Sequence, residues 1–278
     1  MVISELLSKT AKDLKGIGNA SFEAAQIMSF ALNITPSELY RHSNKEVSKE
    51  DETAISQLVK RRLLHEPLQY ILGSWEFMSL PFFVSGDALI PRQDTETLVE
   101  FVLSETDDSA KTLLDIGTGT GCIPISTAHF KRNFTCLGID ISEKAVALAK
   151  RNAENLKVSD RVDFAVCDIL SDIPQKKFDI VVSNPPYIKS DVIETLMPEV
   201  RDYEPRSALD GGADGLIFYR RICEIAPEIL HKSGLLVFET GFDQGTEVSE
   251  LMREGFENVR VIKDLGGNDR VVSGYLKK

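Results

Sequence analysis

The residues Ser183-Asn184-Pro185-Pro186-Tyr187 place a carboxamide, two prolines and a phenol directly after the apolar run Phe178 to Val182. Adjacent prolines fix φ twice and bias Asn184 and Pro185 away from helical geometry, so the turn is stiff. A stiff turn carrying an outward carboxamide reads as a hydrogen-bonding clamp better than as a plain connection. A second chemical stretch is Asp115-Ile116-Gly117-Thr118-Gly119-Thr120-Gly121, which closes the run from Thr112 and precedes small residues from Cys122. Glycine at every second position lets the backbone turn tightly and approach a ligand. A dinucleotide fingerprint spaces its glycines G-x-G-x-x-G, and here the third comes one residue early.

Two further apolar runs also end in carboxylates. Gly138-Ile139-Asp140 offers an acceptor for both hydroxyls of a ribose. Cys167-Asp168-Ile169 offers an acceptor for an adenine amino group and an apolar side chain for its ring. Three acids, Asp115, Asp140 and Asp168, would repel a pyrophosphate and suit ammonium and sulfonium centres. Together they point to S-adenosylmethionine as donor, with S-adenosyl-L-homocysteine as its product.

The elements that must position these residues fall into two kinds. Residues 1–72 read as a helical domain. Ile3, Leu6, Leu7, Ala11 and Leu14 recur at helical spacing, and Phe22, Ala25, Met28 and Leu32 follow a capping candidate at Ser21. Thr35-Pro36-Ser37-Glu38 has the form of a capping box, and Ser48 can cap a helix with the stripe Ala54, Ile55, Leu58, Val59 and Leu63. Residues 73–95 form a linker or hairpin, with Trp75, Phe77, Leu80, Phe82 and Val84 broken by Pro81 and Gly86. Asp94 or Thr95 is expected to cap the helix that opens the third region, 96–278.

There, strand-like runs at 112–116, 136–139, 162–166, 178–182 and 235–238 alternate with helical stretches such as 143–156 and 216–230. Such alternation predicts an α/β fold with a mostly parallel sheet, whose ligands bind at the carboxyl ends of the strands.

The chain of 278 residues has 32 Lys and Arg against 43 Asp and Glu, a net charge of -11. That disfavours a nucleic-acid partner. No apolar run approaches the roughly 18 residues that span a bilayer. Met1 to Gly16 carries Glu5 and Asp13 and lacks the core of a signal peptide, so a cytoplasmic protein is expected. Cys122, Cys136, Cys167 and Cys223 read as reduced core thiols. Neither they nor His42, His65, His129 and His231 have metal-ligand spacing, and no metal is expected.

Asp115-x-Gly117-x-Gly119-x-Gly121, Asp140, Asp168 and the Asn-Pro-Pro-Tyr tetrapeptide resemble class I S-adenosylmethionine-dependent methyltransferases, with a Rossmann-like sheet, acting on planar nitrogens. The helical first domain, Glu66 to Gly73, Leu89-Ile90-Pro91-Arg92, Tyr203-Glu204-Pro205-Arg206 and Asp264 to Arg270 narrow the resemblance to the PrmC/HemK family of protein-(glutamine-N(5)) methyltransferases. It covers nearly the whole chain. Gln93, where the family usually has proline, and the non-aromatic Ile169 depart from its pattern.

The resemblance implies a seven-stranded sheet whose last strand, within 270–276, is antiparallel. It implies methylation of the glutamine in the Gly-Gly-Gln motif of class I peptide chain release factors; a monomer with neither membrane nor nucleic acid as direct partner is expected. It implies donor binding by Asp115, Gly117, Thr118, Gly119, Thr120, Gly121, Asp140, Ile141, Asp168, Ile169 and Asn184. The acceptor then falls to Asn184, Pro185, Pro186 and Tyr187. The carbonyls of the Asn184 side chain and the Pro185 main chain would each take one amide hydrogen, with Tyr187 against the amide plane. Residues 188–215, Pro- and Gly-punctuated with little period, are expected to close over the acceptor. Two other acceptors use similar chemistry: a glutamine of a large-subunit ribosomal protein, and adenine N6 in nucleic acid. The glycine spacing disfavours a nicotinamide dehydrogenase, and the completeness of the site a silent binding module.

Overall fold

A computed structural model describes all 278 residues, which divide into two compact units, Met1–Ser74 with Met197–Tyr203, and Trp75–Leu196 with Glu204–Lys278. The first holds α1 (Ile3–Asp13), α2 (Ala20–Leu32), α3 (Pro36–Arg41), α4 (Lys49–Leu63) and α5 (Leu68–Leu72). Its core is the set of stripes that helical spacing brings to one side, among them Ile3, Leu6, Ile27, Met28, Leu39, Ile55 and Val59. At α3 the Glu38 amide donates to Thr35 Oγ1 (3.2 Å) and the Thr35 amide to Glu38 Oε2 (2.9 Å), with Pro36 at the first helical position. Ser48 caps α4 through the Asp51 amide (3.0 Å). The cap of α2 is Asn19, not Ser21. Its Oδ1 takes the Phe22 amide at 3.3 Å and leaves Ser21 inside the first turn.

The second unit opens with a hairpin, β1 (Ser74–Phe77) and β2 (Leu80–Phe83), turned by Met78 and Ser79 at φ 51° and 59°. Then come α6 (Gln93–Glu105), β3 (Lys111–Ile116), α7 (Cys122–Phe130), β4 (Phe134–Asp140), α8 (Glu143–Asn155), β5 (Val162–Val166) and β6 (Phe178–Ser183). The chain passes through the short helix α9 (Pro198–Arg201), part of the first unit, and returns for α10 (Ile217–Ile229), β7 (Leu230–Glu239), α11 (Gly245–Gly255), β8 (Phe256–Lys263) and β9 (Asp269–Leu276).

Seven strands form one sheet in the order β5-β4-β3-β6-β7-β9-β8, parallel except for β9. Its central strands read as continuous apolar runs because both faces are covered. Leu113, Ile180, Val182 and Val237 pack with α6, α7 and α8, while Leu114, Val181, Leu236 and Phe238 pack with α10 and α11. The edge strand β8 escapes a sequence reading. Its burial alternates poorly, and Glu257, Asn258 and Arg260 give it no apolar run. No helix is long and apolar enough to cross a membrane.

Residues 188–215, expected as an unstructured connection, carry short ordered elements. Ile188 bridges to Asp210, the Gly211 amide donates to the Ile188 carbonyl at 2.8 Å, and turns of three residues stand at Ile193–Thr195 and Arg206–Ala208. Elements this short leave no periodicity to read. Residues 197–203, expected within the third region, cluster instead with the helical unit. There Arg62, on α4 and 5% exposed, donates from Nε to Glu23 Oε2 (2.5 Å) and from Nη1 to Glu199 Oε1 (3.1 Å), and the Tyr203 hydroxyl donates to the Leu64 carbonyl (2.7 Å).

Removing one partner of a buried ion pair costs roughly 3–5 kcal/mol because the other charge stays buried. Arg62→Ala is expected to destabilise the helical unit by that order, read as an earlier transition in urea unfolding followed by circular dichroism.

Candidate active site

β3 pairs with β4 on one side and β6 on the other, so the strand order reverses at β3, where α/β sheets form a ligand crevice. The register sets Ile116 opposite Ser183, and the Ser183 hydroxyl donates to the Ile116 carbonyl at 2.7 Å. The next residues on the two strands are Gly117 and Asn184. The glycine turn and the Asn-Pro-Pro-Tyr turn therefore leave the sheet side by side, and a cavity of about 270 Å³ opens between them.

Gly117, Gly119 and Gly121 all have left-handed φ, at 75°, 54° and 79°. Gly121 is held most tightly. A Cβ there would stand 2.9–3.0 Å from Ile125, Ala149 and Phe164. It is a packing glycine where the turn enters α7, and it does not line the cavity.

Asp140 ends β4 and accepts the Gly119 amide on Oδ2 and the Ser142 amide on Oδ1, both at 2.9 Å. Burial raises its pKa, and these amides oppose the rise. It thus braces the turn while each oxygen keeps a lone pair for a ligand. Asp168 binds the Leu170 amide at 3.0 Å, and Ile169, 6% exposed, lines the wall beside it.

Asp115 does not reach the cavity. It is fully buried beneath the glycine turn, with no donor at hydrogen-bond distance from either oxygen, and the Thr118 hydroxyl lies beside it. Burial pushes its carboxyl up to about 7, and Asp140 adds to the rise.

At the opposite wall, Asn184 Nδ2 donates to Thr95 Oγ1 at 3.2 Å, and nothing in the protein donates to its Oδ1. The Pro185 carbonyl likewise has no internal donor. The structure thus brings Gly117, Thr118, Gly119, Thr120, Asp140, Ile141, Asp168, Ile169, Asn184, Pro185 and Pro186 to one cavity. Tyr187 is not among them. Its carbonyl accepts from Gln244 Nε2 (3.1 Å), its ring packs with the α10 face of the core, and burial pushes its phenol up to about 12.

Two residues that matter here, Asn152 and Glu239, went unread in the sequence, and a third, Thr95, was expected only as a cap. Asn152 is fully buried on α8. Its Nδ2 donates to the carbonyls of Thr120 (2.9 Å) and Phe83 (3.1 Å), and its Oδ1 accepts the Phe83 amide (2.8 Å), pinning the glycine turn to the hairpin. An asparagine on the apolar face of a helix that also carries Ala145, Val146 and Ala149 was the available sign. Thr95 does not cap α6. The N-cap position is Arg92, without a side-chain cap, and Thr95 is 2% exposed with its hydroxyl on Asn184. Glu239 closes β7 as a fourth acid at a strand end, 1% exposed. Burial pushes it up to about 7, against the neighbouring Thr95 hydroxyl and the charge of Arg270.

A flat apolar wall, acceptors for hydroxyl and amino groups, and an acid buried without a donor fit a ligand that joins an adenosine to a cation. Residues 5–73 match the profile of the PrmC N-terminal domain, and residues 107–268 that of a methyltransferase domain. The release factor glutamine methyltransferase of Geobacter sulfurreducens is 43% identical over 263 residues, 94% of this chain and 92% of its own. That of Clostridium botulinum is 38% identical over 278 residues, 98% of each chain. The chain belongs to the release factor glutamine methyltransferases.

A solved methyltransferase from Pyrococcus furiosus shares the fold, with a TM-score of 0.54 and 17% identity over 73% of this chain and 91% of its own. The fold is that of the class I S-adenosylmethionine-dependent enzymes, and S-adenosylmethionine is the cofactor of this methyltransferase. No group of three or more His, Cys, Asp or Glu is disposed to hold a metal ion.

The buried acids give this methyltransferase a definite pH response. The folded pKa of Asp115, about 7, lies above its ordinary 3.8, so the folded state holds the proton between those values. Its stabilising contribution is full below about pH 4 and is lost as pH rises through about 7. Glu239 acts with the same sign. The donor-free enzyme is expected to lose stability between pH 5 and 8, and Asp115→Asn, which cannot ionise, to flatten that loss, read as urea midpoints at the two pH values.

Proposed function

We propose that this enzyme transfers a methyl group from S-adenosylmethionine to the side-chain amide nitrogen of the glutamine in the Gly-Gly-Gln motif of class I peptide chain release factors. The observation that carries this reading is the pair of open acceptors at the cavity wall, Asn184 Oδ1 and the Pro185 carbonyl, beside a built adenosine-type site. A primary amide presents two hydrogens in one plane, and two adjacent carbonyls answer them. The relatives named above carry release factor glutamine methylation in their names, which supports the choice of a glutamine.

Asp140 would hold the ribose hydroxyls and Asp168 the adenine amino group, with Ile169 against the ring. Asp115 acts from beneath the turn by its field. The bound donor supplies an electrophilic methyl group. The protein's part is to deal with a poor nucleophile, since an amide nitrogen's lone pair is delocalised into its carbonyl. Hydrogen bonds to Asn184 Oδ1 and the Pro185 carbonyl fix the plane of the amide and stabilise positive charge as it develops on nitrogen. The product nitrogen then sheds one hydrogen as a proton.

Fixing two reactants in line accounts for roughly 7–11 kcal/mol of barrier lowering. One charge-stabilising hydrogen bond accounts for roughly 2.7–4 kcal/mol, by analogy with oxyanion sites. Pro186 stiffens the turn, and Tyr187 supports it from the core side. We further take the enzyme to act as a cytoplasmic monomer, with neither membrane nor nucleic acid as direct partner. Its net charge of -11 supports the last point.

Asn184→Ala is expected to bind donor within several-fold of wild type and to lose about 10²- to 10³-fold in turnover, from the size of such a hydrogen bond. Incubation with methyl-labelled donor and, separately, a release factor, its Gln→Ala version in the Gly-Gly-Gln motif, ribosomes and DNA identifies the acceptor. Label is expected only on the intact release factor. Label on the Gln→Ala version, on a ribosomal protein or on DNA would overturn the assignment.

A further inference from the structure

A side-chain carboxamide is nearly symmetric in shape and opposite in hydrogen bonding at its two ends. Turned by 180°, Asn184 would present Nδ2 to the cavity and repel the amide that it is to receive. Something must choose the orientation. The cavity does not, because it leaves Oδ1 without a donor. The choice lies behind Asn184, where the Thr95 hydroxyl stands between it and Glu239.

A hydroxyl has one hydrogen to give, and an ionised carboxylate can only accept. We propose that Thr95, with Glu239 behind it, is a positioning residue for methyl transfer: its hydrogen is committed to the Glu239 carboxylate, so it can only accept from Asn184, which locks Nδ2 inward and Oδ1 toward the acceptor. This rests on the clamp role assigned to Asn184 above.

The burial of the relay supports it. Thr95 is 2% and Glu239 1% exposed, and Glu239 Oε2 has no partner in the protein. The charged groups around Glu239 come from several elements. Arg92 and Arg270 favour its ionised form, and Asp94, at the start of α6, opposes it. Arg270 is itself held by Asp94 (3.0 Å) and Asp264 (3.2 Å) and donates to the Thr240 carbonyl (3.3 Å). The phenols of Tyr187 and Tyr219 and the thiol of Cys122 face Glu239 from the turn after β6, from α10 and from α7, and burial keeps all three protonated.

Thr95→Val keeps the shape and removes the hydroxyl. Its turnover on release factor is expected to fall on the order of 10- to 100-fold, as when a group that orients a metal ligand is lost. Donor affinity by calorimetry should stay within about threefold, since only transition-state contacts are disturbed. Thr95→Ser, which restores the hydroxyl, should recover most of the loss. Glu239→Gln, which can donate to Thr95 and free its hydrogen for Asn184, should lose turnover as Thr95→Val does.

Because Thr95 acts through Asn184, adding Thr95→Val to Asn184→Ala should change turnover less than about twofold, the mark of two residues acting as one unit. In nuclear magnetic resonance spectra, the Asn184 side-chain amide hydrogens should exchange faster with solvent in Thr95→Val than in wild type. The inference is overturned if Asn184→Ala is impaired while Thr95→Val is not, if Thr95→Ser is as slow as Thr95→Val, or if the two losses multiply in the double variant. Unimpaired Asn184→Ala would instead remove the clamp reading itself, and the positioning role with it.

Discussion

The register between β3 and β6 is the constraint on which the site depends. Side chains alternate across a strand with period two, so a slip of one residue would exchange the faces of β6 and send Val181 and Val182 to the wrong helices. Because the register pairs Ile116 with Ser183, the two turns that follow begin at the same height beside the same crevice. The Ser183 hydroxyl adds a side-chain bond to the strand ladder where the ladder stops. Asn152 secures the outer side of the glycine turn, and Asp140 its middle. Rigid strands thus set the separation of the two turns, and the turns only decorate their ends.

The strand ends also share a charge problem. Asp115, Asp140 and Glu239 are all drawn out of water, and burial raises all three toward the neutral form. A site built this way is poor at resting with its charges exposed and good at receiving a cation, which makes each acid easier to ionise. The glycine turn brings a main-chain amide to Asp140 but none to Asp115. Asp115 is therefore the acid whose field is least spent inside the protein.

The parts of this design that were legible in the sequence are those set by local rules. The capping box at Thr35 and the cap at Ser48 depend on residues three apart, and the apolar runs of β3, β6 and β7 stand out because two covered faces demand them. The glycine turn, Asp140, Asp168 and Asn184 were readable because each sits where such a run ends. What stayed hidden depends on distant partners. Thr95 looks like a helix cap until the fold places Asn184, 89 residues later, against its hydroxyl. Tyr187 looks like part of the clamp until Gln244 and the α10 core claim it. The turn at Met78 and Ser79 has left-handed residues without glycine or asparagine, so no local rule points to it.

The helical unit is drawn from two stretches of chain, with residues 197–203 contributed more than a hundred residues after α5 ends. Such a unit is not a cassette. Recombination at a single boundary near Ser74 would deliver α4 without the Glu199 that Arg62 binds, and would leave behind a segment shaped for helices no longer present. Lineages exchanging such units need one crossover for a contiguous domain and two co-ordinated ones here. The interruption ties the inheritance of the helical unit to that of the sheet whose chain it borrows.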